Sequence, residues 1–210
     1  MDLVAVLDIG KTNAKVVLGD PASGLELWSR TAPNRPAPGT PYRAIDADAI
    51  EAFLRAALAE IPERHRVGTI VPVAHGACAA LVDDARLVLP VIDYEEPALD
   101  DVAEVYRPLR DPFVETGSPF LPLGLNVGRQ LFFLETRFPD AFAHARRLLF
   151  WPQYWAWRLS GVAVSEITSL GCHGDLWEPA TARFSGLTRR RGWDRLVPRL
   201  AKAGEAIGRL

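Results

Sequence analysis

The stretch Val4–Asp20, VAVLDIGKTNAKVVLGD, decides how the chain reads. Two apolar runs, Leu3–Leu7 and Val16–Leu18, flank a polar segment that begins at Asp8 and Gly10 and carries Lys11, Thr12, Asn13 and Lys15. The runs are short, rich in Val and Leu, and bounded by Gly and Asp, so they predict two strands of a hairpin and not a helix. Gly10 permits close approach of the backbone, and the turn offers N–H groups, polar side chains and two cations, which are the parts of an anion cradle. Asp8 would repel that anion unless a divalent cation or its waters lay between them, a condition met by a phosphate carrying Mg2+. Gly10-Lys11-Thr12 is not a Walker A loop. That motif needs glycine where this chain has Ala5, and a helix where it has Val16–Leu18.

The bulk properties bound the rest. With 49% hydrophobic residues and a net charge of −2, the 210-residue chain can build one large core or two small ones. Interspersed charges give no reason to expect nucleic acid, and the basic run Arg189–Arg191 reads as a solvated helix or loop end. No apolar window is long enough for a membrane span, which predicts no membrane partner. Two cysteines, Cys78 and Cys172, make no disulfide framework, and the expected compartment is the cytoplasm.

Downstream, Leu25–Arg30 reads as a third strand, and Thr31–Tyr42, with four prolines, as an irregular connection. Asp46 or Asp48 can cap a helix from Ala47 to about Ile61, with Ile50, Phe53, Leu54, Ala57, Leu58 and Ile61 on one face and Pro62 ending it. Val67–Ala74 is nearly uniformly apolar, as expected of a strand covered on both faces, and it delivers His75-Gly76 to its carboxyl end, where ligands of open α/β sheets gather. Further strands are expected at Ala79–Asp83, Leu87–Val91 and Leu148–Trp151. Helices are expected at Asp100–Arg107, Gly128–Arg137, Pro139–Arg147 and Pro152–Leu159, with an amphipathic helix and tail from Trp193 onward. Trp151, Tyr154, Trp155 and Trp157 read mainly as core packing.

Asp8-Ile9-Gly10-Lys11-Thr12-Asn13-Ala14-Lys15 after an N-terminal strand resembles the first phosphate motif of the FGGY carbohydrate kinases, in the actin/hexokinase-like ATPase superfamily. The resemblance continues in order through His75-Gly76, Asp93, Thr116-Gly117, Gly128–Phe133, Gln153–Gly161 and Glu166–His173. It implies an α/β, ribonuclease H-like domain with a mixed sheet flanked by helices, and ATP-dependent phosphorylation of a sugar or polyol hydroxyl by the complete protein. The implied phosphate and ATP contacts are Lys11, Thr12, Asn13 and Lys15, with Asp8 organising Mg2+ through water. The implied sugar contacts are His75, Gly76, Asp93 and Asn126. Relatives often have Gln-Met before the His-Gly pair, and a Trp and an Arg around the aspartate, all of which this chain lacks.

The family's base is an aspartate beyond the point reached by Leu210, and its second phosphate loop and adenosine pocket lie in a C-terminal domain. Residues 1–210 are therefore expected to be an N-terminal FGGY kinase domain that does not turn over alone, the remainder coming from a missing domain or a complementary chain. The alternative is a non-catalytic sugar- or nucleotide-binding module or half of a split kinase. A homodimer is also admitted. Two weaker rivals use His75, Cys78, Cys172 and His173 as a zinc site or a Cys-His nucleophile. Adjacent residues such as Cys172 and His173 point apart in an extended chain, and neither thiol is marked as activated.

Overall fold

The computed structural model describes residues 2–209. The chain divides into two compact units, one containing the residues up to Gly39 and Ile45–His75, the other Thr40–Ala44 and everything from Gly76 onward. One crossing between them falls between His75 and Gly76.

The first unit is built on a four-stranded sheet ordered β3-β2-β1-β4. Its strands are β1 (Leu3–Ile9), β2 (Asn13–Asp20), β3 (Leu25–Pro33) and β4 (Val67–Ala74). β1 is antiparallel to β2 and parallel to β4, so the sheet is mixed. The register places Ala5, Leu7 and Ile9 opposite Leu18, Val16 and Ala14, and all six are buried. Alternation along the pleat puts every second residue of each strand on this one face. Helix α1 (Ala47–Glu60) packs against β2 and buries Ile50, Leu54 and Ala57. The Asp46 carboxylate accepts the Ala49 N–H at 2.9 Å, the N-cap expected from sequence.

Two expectations for this unit change. β4 is not covered on both faces: Val71 and Val73 are 39% and 46% exposed, while Ile70, Pro72 and Ala74 turn toward the covered face beside Ala5, Leu7 and Ile9. β4 is an edge strand, which is where Pro72, having no N–H to donate, can be accommodated. β3 also runs through Thr31, Ala32 and Pro33, because these residues pair with Lys15, Ala14 and Asn13 at the ladder's edge.

In the second unit β5 (Ala79–Val82) pairs antiparallel with β6 (Arg147–Phe150), and the core includes Leu81, Ile92, Tyr106, Phe150, Trp151, Trp155 and Trp193. The helix Val127–Arg137 and the helix Trp151–Ser160 stand close to their expected positions, the latter ending on Gly161 at φ 72°. Trp151 stacks on Tyr154 at 5.1 Å between ring centroids, within the core. Leu87–Val91 is not a strand: Leu87 forms an isolated bridge to Val82 and the Val88 N–H donates to the Leu81 carbonyl, while the extended ladder of β5 is made with β6. The helix from Pro139 stops at Ala143 because Arg147 begins β6. The expected helix from Trp193 is a short 3-10 turn to Leu196, after which Val197, preceding Pro198, is extended as the ring of a following proline requires. Among the described residues no helix is long and apolar enough to cross a membrane.

Candidate functional site

The β1–β2 turn is shaped by its own hydrogen bonds. The Gly10 N–H donates to the Asn13 carbonyl at 2.9 Å, and a Cβ on Gly10 would stand 3.2 Å from that oxygen, so glycine keeps the turn tight. The Asn13 Nδ2 donates to the Thr12 hydroxyl oxygen at 3.1 Å, which directs the Thr12 hydrogen elsewhere. Asp8, Thr12 and Asn13 are exposed and Lys11 is half-buried. A carboxylate, an ammonium, a hydroxyl and an amide thus lie within six residues of one accessible turn. That donor set suits a phosphate, with Asp8 supplying the hard oxygen that Mg2+ or its waters take.

Lys15 faces Asp8 in the ladder, but its ammonium pairs with Glu26 at 2.8 Å. The hydrogen bond from Lys15 draws the Glu26 carboxyl below its ordinary 4.5, with a bond from Ser29 assisting. Lys15 reaches an anion at the turn only by exchanging Glu26 for it.

Asn34 was not legible as part of this turn. Its Nδ2 donates to the Gly10 carbonyl at 2.8 Å and its backbone N–H donates to the Thr12 carbonyl at 2.8 Å. The signal available in sequence was an Asn between two prolines at the end of a strand, a composition that reads only as a turn.

His75 follows the last residue of β4 and is half-buried, and Gly76 is exposed. In the second unit, Asp93 is 4% exposed and accepts from Arg43 Nε at 2.9 Å and from the Glu95 N–H at 3.0 Å. Glu96 accepts from the Arg43 and Ala98 N–H groups, so residues 93–98 are tied to residues 40–44. Asn126 is fully buried. Its Oδ1 accepts the Leu121 N–H at 2.8 Å, and its Nδ2 donates to the carbonyls of Pro119 at 2.9 Å and His173 at 3.0 Å. Both amide hydrogens are committed to backbone, which makes Asn126 a loop brace and leaves it no donor for a sugar hydroxyl. The same loop is held by His173, whose Nδ1 lies 2.7 Å from the Leu125 carbonyl and so carries the proton. Gln130, also missed, is buried and donates to the carbonyls of Ala77 and Gly124.

Cys78 is buried with its thiol 3.6 Å from the Ile92 carbonyl, and Cys172 is exposed. Among the described residues no three His, Cys, Asp or Glu side chains converge as metal ligands do.

No family profile matches the sequence, and no curated protein sequence matches it. Solved structures do match. A carbohydrate kinase from Novosphingobium aromaticivorans superposes with a TM-score of 0.93 at 44% identity, over 100% of this chain and 44% of that one. The chain has the fold of an FGGY-type carbohydrate kinase N-terminal domain. A ligand-bound xylulose kinase from Lactobacillus acidophilus gives a TM-score of 0.83 at 16% identity, over 100% of this chain and 44% of that one. Glycerol kinase from Plasmodium falciparum, solved with ADP, gives 0.81 at 11% identity, over 99% of this chain and 44% of that one. At those identities the likeness is one of fold. The chain therefore spans less than half the length of each of the three kinases it matches.

Proposed function

We propose that the complete protein transfers the γ-phosphoryl group of ATP to a hydroxyl of a sugar or polyol in the cytoplasm, and that this chain supplies the first phosphate contact and part of the sugar site. The observation that carries the reading is the 44% identity to a carbohydrate kinase across the whole chain, together with an accessible turn whose donors suit a phosphate. When bound, Mg-ATP supplies the phosphoryl group and the charge that binds it. The residues that hold it are Lys11, Thr12 and Asn13, with Asp8 on the Mg2+ side through water and Lys15 joining when it leaves Glu26. Catalysis by such a site is mostly placement and charge stabilisation.

His75 and Gly76, which follow β4, are assigned to the sugar; Gly76 is exposed, while His75 is half-buried with both ring nitrogens withdrawn from solvent. Asp93 and Asn126 act on the sugar site indirectly, by holding the loops they brace. The isolated chain does not turn over. Beyond Glu178 its side-chain carboxylates are Asp194 and Glu205, and Glu205 is engaged by Arg199 and by the Lys202 N–H.

Replacing Lys11 and Thr12 together by Ala in the complete enzyme is expected to lower kcat/KM by about 100-fold or more, the scale set by removing charge-stabilising donors. Stability should move by no more than about 1 kcal/mol for the two changes together, because Thr12 is exposed and Lys11 only half-buried in a turn. Equal loss of activity and stability would return the turn to a structural role.

A further inference from the structure

We infer that Asn34 is a positioning residue for the phosphate turn, fixing which way its peptide groups face. The inference rests on the reading of the turn as a phosphate site. Asn34 lies 24 residues beyond Gly10, outside the motif, and is half-buried at the end of β3. It presents two donors to one turn, the side-chain Nδ2 to the Gly10 carbonyl and the backbone N–H to the Thr12 carbonyl, each at 2.8 Å.

Peptide geometry gives the consequence. Among the described residues no peptide bond is cis, and in a trans peptide the carbonyl of one residue and the N–H of the next point in opposite directions. With the Gly10 and Thr12 carbonyls drawn toward Asn34, the N–H groups of Lys11 and Asn13 are turned away from it. The Gly10 N–H is meanwhile engaged inside the turn by the Asn13 carbonyl. Asn34 thus does two things for an anion. It removes two carbonyl dipoles that would repel a phosphate, and it aims two amide dipoles that attract one, in the manner of a backbone nest. Preorganised dipoles need no reorientation when charge arrives, which is where their catalytic value lies.

The side chain and the backbone contribute separately. Asn34→Asp keeps the size and the backbone donor but puts a carboxylate oxygen against the Gly10 carbonyl, so that peptide should rotate and carry the Lys11 N–H with it. Asn34→Ala removes the side-chain donor without adding repulsion.

The test uses the complete enzyme and measures KM for ATP, kcat, KM for the sugar and the dissociation constant of Mg-ADP. Asn34→Ala should weaken Mg-ADP binding and raise the KM for ATP by up to about 10-fold, the scale of one lost neutral hydrogen bond. Asn34→Asp should do more, and neither should change the KM for the sugar. A structural defect would move both KM values. Unchanged nucleotide parameters in Asn34→Asp, with Lys11→Ala/Thr12→Ala still impaired, would overturn the role of Asn34 alone. Unchanged parameters in all three variants would overturn the phosphate reading itself. A second measurement needs no substitution: on adding Mg-ADP to the native enzyme, the amide resonances of Lys11 and Asn13 should shift far more than that of Gly10. A dominant shift at Gly10 would contradict the assigned orientation.

Discussion

Lys15 and Glu26 show how a residue can satisfy a motif and still be engaged elsewhere. Both side chains are well exposed, at 35% and 47%, so their 2.8 Å pair contributes little to stability. It does hold the ammonium away from the turn. Folding favours the charged Glu26, so whatever the pair contributes is complete above 4.5 and is lost as pH falls through the lowered value. Side-chain NMR titration should find Glu26 below 4.5, and Lys15→Met should move it up. A titration unchanged by Lys15→Met would mean that the pair does not form in solution.

Among the elements, the loops of the second unit depend on one buried carboxylate. Asp175, 1% exposed at φ 63°, accepts from the Tyr106 hydroxyl at 2.7 Å and from Arg110 through Nε at 2.9 Å and Nη2 at 2.6 Å. Burial pulls Arg110 down, but the bond and charge of Asp175 outweigh it and leave the guanidinium above its ordinary value. Burial, with the Asp175 charge adding to it, pushes the Tyr106 hydroxyl well up. Asp175→Ala should therefore cost about 3–5 kcal/mol, because it strands a guanidinium that is largely withdrawn from water. Chemical denaturation of the variant checks this, and a loss under about 1 kcal/mol would show that water takes over the carboxylate's role.

These elements also show what the sequence could and could not convey. The hairpin, α1 and the ends of β4 were readable because their causes are local: Gly10 in the turn, Asp46 at the cap, Pro62 after the helix and a nearly uniform apolar run. The β5–β6 pairing was not, since Ala79 finds Phe150 across the chain and nothing local marks the choice over Leu87–Val91. Of the residues assigned to the phosphate, Asp8 through Asn13 are consecutive in sequence and stay together at one turn. Lys15 was displaced by Glu26, 11 residues on, and Asn126 was turned from contact to brace partly by His173, 47 residues on. Asn34 was invisible for the same reason: its partners are two carbonyls, and carbonyls leave no trace in sequence.

At the scale of the whole molecule, the first unit's sheet has one face closed by α1 and one face on which Val71 and Val73 remain open to solvent. An edge strand that exposes apolar side chains offers a template for pairing with another chain. In the isolated chain, Val71→Lys with Val73→Lys should change stability by about 0.5 kcal/mol or less and should suppress self-association at high concentration. Sedimentation velocity and chemical denaturation together decide this. A large loss of stability would show that these valines already pack against the chain.

The central claim is that this fold, with its phosphate turn, belongs to an enzyme that phosphorylates a carbohydrate. The most direct test incubates the complete protein with Mg-ATP and a panel of pentoses, hexoses and polyols, with the 210-residue chain in parallel, and follows ADP release and product mass. The account predicts carbohydrate-dependent ADP release and a product one phosphoryl group heavier for the complete protein, with neither for the chain alone. Absence of any phosphorylated product from the complete protein, or full turnover by the isolated chain, would contradict it.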